Sequence, residues 1–409
     1  MRHRVDIAGR GRPPLVVVGG ALANKPFNGG NAWTRLSWVL GFRRLGLEAW
    51  FVEQISAGQC TDAMGRPATL ADCVQAAYFH SVMARFGLSG TSALVCEETG
   101  ESYGVPSREL SGRVGRADLL FNISGHLTRP EIAGGARTKA YLDDDPGHTQ
   151  FWHESGTGAA RCEGHDIYYT IGANIGSKGC RIPTAGLAWH PVRPPVVLAE
   201  WPAMPAGEFG RFTTVAGWRG AYGTVVHGGR TYGQKAHEFR RFLDVPARTG
   251  ERFEIALQIH PADAADLARL RDHGWRVTDP MQASATPDAF RRHVQGSGAE
   301  FSAAQGMYVD THSGWFSDRT ARYLASGRPA LVQDTGIGRH LPTGRGLLTF
   351  GTVDEAVEGV RRIVGEYAMH AAAARRLAEE YLDSDALLRG VLHDVGIDCA
   401  PVPAHGHSG

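Results

Sequence analysis

Residues 142–150, Leu-Asp-Asp-Asp-Pro-Gly-His-Thr-Gln, set three carboxylates and an imidazole side by side after an apolar run. Adjacent carboxylates repel one another, which raises the proton affinity of at least one of them. Asp145 or His148 is thus a candidate general base for a hydroxyl or an amine. Asp143 and Asp145 also have Asp-x-Asp spacing, which suits a divalent cation, although no third ligand accompanies them. Aspartate caps and a Pro-Gly turn are the structural alternative. Residues 122–126, Asn-Ile-Ser-Gly-His, put His126 at a second such strand end. That stretch lacks the Gly-x-Ser-x-Gly pattern of a serine nucleophile elbow. Asn174, among the glycines of 171–176, is expected in the wall of a third loop.

Residues 19–33 place four glycines between a β-branched run and a helical stretch. The amides of Gly29, Gly30 and Asn31 would open that helix, where an anion or other ligand is favoured. The spacing is not Gly-x-Gly-x-x-Gly, yet Glu53 falls 23 residues after Gly30, near where a ribose-binding acid stands in dinucleotide folds. A nicotinamide enzyme is therefore an alternative. So is a tight turn that needs glycine for its backbone angles alone.

In the second half, Arg219 and Lys235 follow a strand-like run and together could neutralise a diphosphate. Solvated surface charge is the alternative reading, although lysine is scarce: Lys25, Lys139, Lys178 and Lys235 are the only four. Glu300 and Ser302 precede a strand expected at 304–310. Thr311, Ser313 and Gly314 precede a helix expected at 315–327, whose first amides would face phosphate. An expected strand at 328–333 then delivers Gln333, Asp334, Thr335 and Gly336 into a glycine loop.

The elements that must position these residues form two series. Short buried runs at 13–20, 47–53, 117–125, 138–147 and 165–176 alternate with helical stretches and end in Gly, Asp or Asn loops, the texture of a parallel α/β sheet. A proline-rich stretch interrupts them at 191–209, and a second series starts at 210. Thr286 is an expected N-cap, and Thr352 with Glu355 an expected capping box. The chain of 409 residues thus divides into an N-terminal Rossmann-like domain (1–190), a linker (191–209), a second Rossmann-like domain (210–366), a C-terminal helix (367–396) that returns to the first domain, and a tail (397–409). Ligands of such sheets sit beyond the carboxyl ends of the strands, here in the cleft between the domains.

Composition removes several function classes. A net charge of +1 offers no bulk attraction for nucleic acid or anionic membrane. The six cysteines form no Cys-x-x-Cys pair, and neither a signal peptide nor a spanning run is visible, so a cytoplasmic protein without cofactor or metal is expected.

These loops in this order resemble a GT-B-fold, nucleotide-sugar-dependent glycosyltransferase over most of the chain, most strongly at 296–360. Residues 313–350 are similar to the donor-site block of such enzymes: a helix, Ala325-x-Gly327-x-Pro329, a strand, a glycine loop and Gly346-Leu-Leu. Residues 141–150 and 171–198 look like a bacterial group associated with natural-product or surface-glycan clusters. The resemblance implies that Arg219 and Lys235 bind the donor diphosphate, that Glu300, Ser302, Thr311, Ser313 and Gly314 complete that site, and that Gln333 to Gly336 meet the sugar. It implies an acceptor, small molecule or glycan, held by the first domain. The Glu-x7-Glu positions of the retaining families fall on Gly314 and Arg322, neither acidic, so inversion is favoured. A nucleotide-sugar epimerase or a non-catalytic nucleotide-sugar-binding protein are the alternatives on the same fold.

Overall fold

The fold is described by a computed structural model over residues 12–220 and 222–398. Eight strands build the first sheet: β1 (Leu15–Gly19), β2 (Glu48–Ile55), β3 (Ser92–Cys96), β4 (Ser102–Gly104), β5 (Leu119–Ile123), β6 (Thr138–Asp143), β7 (Ile167–Thr170) and β8 (Trp189–Pro191). Their spatial order is β4-β3-β2-β1-β5-β6-β7-β8, parallel except for β4. After β9 (Phe212–Gly217) and a hairpin of β10 (Val225–His227) and β11 (Arg230–Tyr232) come β12 (Phe253–Gln258), β13 (Trp275–Thr278), β14 (Ala299–Ser302), β15 (Ala330–Gln333) and β16 (Leu347–Phe350). The second sheet runs β13-β12-β9-β14-β15-β16, all parallel. In both sheets the strand order reverses beside the first strand, which leaves a crevice at the carboxyl ends.

The central strands are buried on both faces, so they read as unbroken apolar runs: Leu15–Gly19 is buried throughout. The expected caps form as well. Thr286 accepts from the Ala289 amide, and Thr352 and Glu355 make a capping box.

Three expectations change. Residues 304–310 hold no strand; the strand is Ala299–Ser302, and Gly306–Asp310 is a short helix. The sheet has room only for the fully buried four-residue run, and Met307 and Tyr308 pack beneath Phe151 and Tyr232 instead. The helix after them starts at Asp318, capped by Ser317, because Trp315 is engaged in a bridge to Gly172 of the first domain. The long C-terminal helix is two, Tyr367–Tyr381 and Ser384–Asp394. The linker inserts at the break: Val196 donates to the Leu382 carbonyl and accepts from the Ser384 amide. The second of these helices packs on the first-domain helix Gly29–Arg44, where Arg44 pairs with Asp385 and Leu388 covers Gly41. Ile397 is buried, so the chain is still in the core where the tail was expected to begin; residues 399–409 lie outside the described ones.

One apolar cluster runs across both domains. Trp33 touches Trp201 with ring centroids 5.0 Å apart, and its indole donates to the Pro287 carbonyl at 2.8 Å. Gly29 sits where a Cβ would overlap the backbone of Thr286, so glycine is required there for the close approach of the two halves.

Candidate functional site

The carboxyl ends of the two sheets enclose a cleft of about 760 Å³. The loop after β1 and the ends of β6 and β7 form one wall. The ends of β9, β12 and β13, with residues 305–319, form the other.

In the first wall, Asp145 follows β6. Burial, then the neighbouring charge of Asp144, pushes its carboxyl up to about 7. Tyr308, a buried residue of the other domain, donates its hydroxyl to Asp145 Oδ1 at 3.3 Å. Asp144 also lines the cleft and pairs with Arg35 at 3.2 Å. Asp143 does not line it: its carboxylate accepts from Thr149, Gln150 and Thr170 inside the sheet edge. The Asp-x-Asp pair is thereby split, one member structural and one at the cavity.

His148 lies outside the cleft lining, under Trp152 and Tyr222, and burial pulls its pKa down to about 4. His126 is likewise off the lining; burial, then Arg35, brings it to about 3. Both imidazoles are neutral at neutral pH. Among the three first-domain candidates for a base, Asp145 alone is in the cavity wall.

In the second wall the central group is Arg319, at the start of helix Asp318–Ala325. Its Nε donates to Glu300 at 2.6 Å, and its terminal nitrogens donate to the Val215 carbonyl at 2.8 Å and to Ser302 Oγ at 2.7 Å. Burial disfavours its charge, but Glu300 outweighs that and holds its pKa above the ordinary guanidinium value. Three acceptors thus fix a permanent cation at the cleft. Lys235 does not line the cleft but feels the charge of Arg319: burial first, then Arg319, pushes its ammonium down to about 7, while Glu300 and Asp318 oppose. Glu300 and Ser302 hold Arg319 and do not themselves line the cleft.

Several expected ligands are placed elsewhere. Arg219 is 54% exposed in its side chain and makes two hydrogen bonds to Asp263, outside the cleft lining. Arg319, not Arg219, is the arginine of this domain that lines the cleft. The amides of Ser313 and Gly314 are spent on the carbonyls of Tyr308 and Thr335. Thr311 Oγ1 donates to Met307 O. Gln333 accepts from the Ala304 amide and donates to Glu238, and Thr335 donates to the Trp315 carbonyl. Asp334 is exposed and caps the Gly336 amide.

The glycine loop expected to meet a sugar is occupied by the first domain. Asn174 donates to the carbonyls of His312 (2.9 Å) and Gly336 (3.3 Å), its Oδ1 faces His340 Nε2 at 2.8 Å, and its amide donates to Ser313 O. Asn174 is therefore an interdomain bridge rather than a loop wall open to a ligand. Gly30 and Asn31 do line the cleft, while Gly29 meets Thr286. Glu53 does not face a ribose site: its carboxylate accepts from the amides of Ala23 and Asn24, folding the loop after β1.

Sequence reasoning missed Arg319, Arg35, Lys25 and Tyr308. The scarcity of lysine that drew weight to Lys235 applied equally to Lys25. Nothing local to Arg319 or Tyr308 marks them, because their partners are distant in the chain.

No family model matches the sequence, and no curated protein matches it. Solved structures do. HepE from Anabaena in complex with UDP and glucose superposes with a TM-score of 0.57 at 10% identity, over 93% of this chain and 99% of that one. AviGT4, a glycosyltransferase involved in avilamycin A biosynthesis, gives 0.53 at 14% identity, over 94% and 97%. A glycosyltransferase from Rickettsia africae ESF-5 gives 0.54 at 8% identity, over 94% and 98%. The fold is GT-B. Coverage of nearly both whole chains means that the GT-B match includes the two sheets, the linker and the C-terminal helices together, not one Rossmann-like half.

Proposed function

We propose that the protein is a glycosyltransferase that moves a sugar from a nucleoside-diphosphate sugar to a hydroxyl or amine of a small-molecule or glycan acceptor. The observation that carries this reading is the pairing, in one interdomain cleft, of a carboxyl titrating near neutrality (Asp145) with an anchored guanidinium (Arg319) on the opposite wall.

In this reaction the acceptor proton passes to the Asp145 carboxylate as the acceptor oxygen or nitrogen bonds to the anomeric carbon. The bond from that carbon to the diphosphate oxygen breaks, and its electron pair leaves on the nucleoside diphosphate. Arg319 and the protonated fraction of Lys235 stabilise that charge in a partly dry site, where a fixed cation acts most strongly. Attack opposite the leaving group inverts the centre, in line with the absence of acidic residues at positions 314 and 322. A metal-independent route fits the commitment of Asp143 to three side-chain donors and of Asp144 to Arg35. The UDP bound to HepE and the natural-product role of AviGT4 support a uridine nucleotide and a natural-product acceptor here. No helix among the described residues is long and apolar enough to cross a membrane, and a cytoplasmic site of action is part of this proposal.

A thermal-shift screen with UDP, GDP, ADP, dTDP and NAD, followed by product analysis with an acceptor panel, tests it. One nucleoside diphosphate should stabilise the wild type and not Arg319→Ala, and Asp145→Asn should bind that nucleotide without transferring sugar. Stabilisation by NAD alone, or full turnover by Asp145→Asn, defeats the reading.

A further inference from the structure

The first-domain wall carries two cations that the transfer step leaves unused. Lys25, in the loop after β1, and Arg35, on helix Gly29–Arg44, both line the cleft. The Arg35 side chain is 6% exposed, and its Nε has no hydrogen-bond partner; Asp144 is its ion-pair partner. The Lys25 ammonium makes no ion pair or hydrogen bond among the described residues. Partial desolvation inside the cleft, and then the charge of Arg35, lowers its pKa although the residue as a whole is exposed, with Asp145, Asp144 and Glu53 opposing.

The carboxylates of this wall have other partners. Asp144 is paired with Arg35, Asp145 accepts from Tyr308, and Glu53 accepts from two backbone amides. Arg35 is buried with its Nε unpartnered, and Lys25 stands exposed beside it at the cleft, so an incoming anion would give both cations an acceptor. Beside the two cations stands Phe27, 44% exposed and held at φ +60°, a conformation that a residue with a Cβ adopts at some cost. Its ring rests on Tyr78 at 5.7 Å. An exposed aromatic at the cleft, next to cations, offers an apolar platform and a charge clamp together.

We infer that Lys25 and Arg35 form an anion subsite for the acceptor, which carries a carboxylate, sulfate or phosphate joined to an apolar body that lies on Phe27. Assigning this subsite to the acceptor rests on the glycosyl-transfer reading, in which Arg319 serves the donor diphosphate from the other wall.

Calorimetric titration of the full chain with phenyl phosphate, with benzoate and with neutral benzyl alcohol tests the subsite. Lys25→Met keeps the apolar stem of the side chain and removes the charge, and Lys25→Arg restores it. The acids should bind the wild type and benzyl alcohol should not. Lys25→Met should weaken acid binding by about tenfold, Lys25→Arg should bring it back, and Phe27→Ala should weaken it too. Equal acid binding by wild type and Lys25→Met, or no acid binding by the wild type, overturns the subsite. UDP titration of the same variants separates the two readings. If Lys25→Met costs UDP affinity as Arg319→Ala does, the cations belong to the donor phosphates, and the acceptor assignment is wrong. If no nucleotide binds while the acids still do, the subsite stands and the glycosyl-transfer reading falls.

Discussion

The hydroxyl of Tyr308, from the second domain, donates to the carboxylate of Asp145, from the first, at 3.3 Å. The carboxyl that burial raises to about 7 on the first-domain wall thus receives a proton donor from the opposing domain. Its ionisation and the approach of the two halves are coupled.

With Asp145 as the base, kcat rises with pH through about 7, since burial and Asp144 keep the carboxyl protonated below that. Asp145→Asn should lower kcat by about two orders of magnitude or more and abolish this limb. Tyr308→Phe removes a bond that favours the charged form, so the limb should move to higher pH with the nucleotide affinity kept. The pH profile of initial rates reads both.

Arg319→Ala should weaken nucleoside-diphosphate binding by about 10- to 100-fold, the loss of a charge-assisted contact. Arg319→Lys should recover little, because a single ammonium cannot span Glu300, Val215 O and Ser302 as the planar fork does. Arg219→Ala, which breaks a surface pair with Asp263, should leave that affinity within about twofold. Titration calorimetry decides between the two arginines.

Asn174→Ala should destabilise the contact between domains by about 2–3 kcal/mol, since it strands the carbonyls of His312 and Gly336. Asn174→Asp should be worse, with a carboxylate facing those oxygens. Denaturant unfolding gives the energy. Small-angle scattering should show a larger radius of gyration as the halves separate.

Glu53 gives a pH dependence of stability with a defined sign. Burial lifts its carboxyl from 4.5 to about 7 in the folded chain, against the pull of the Ala23 and Asn24 amides. The folded state therefore holds a proton that the unfolded chain releases. This stabilisation is complete below about pH 4.5 and is lost as pH rises through 7, by at most about 3 kcal/mol. Glu53→Gln should flatten the stability profile between those limits, as read by urea midpoints.

The buried strands were visible in the sequence because a strand covered on both faces must be apolar throughout, as in Leu15–Gly19 and Ala330–Gln333. Helix starts at Thr286 and Thr352 were visible because a cap is a local bond. The strand at Ala299–Ser302 was misplaced because Gln305 to Asp310 has an equally strand-like composition, and only the space between β9 and β15 selects the earlier run. The acidic run after β6 pointed to the cleft, yet the sequence did not say that Asp143 would be consumed by Thr149, Gln150 and Thr170 while Asp145 faced the cavity.

By itself the sequence determined the two α/β halves, the linker between them and the strand ends at which chemistry belongs, since all three follow from local patterning. Which groups are free at those ends was decided by tertiary structure. Arg219 is held by Asp263 and Arg319 by Glu300, Ser302 and Val215, and the glycine loop after β15 is filled by Asn174, 162 residues before Gly336. A donor or an amide is available to a ligand only if no other part of the chain has taken it, and those competitors come from distant segments that meet only when both domains have folded and docked.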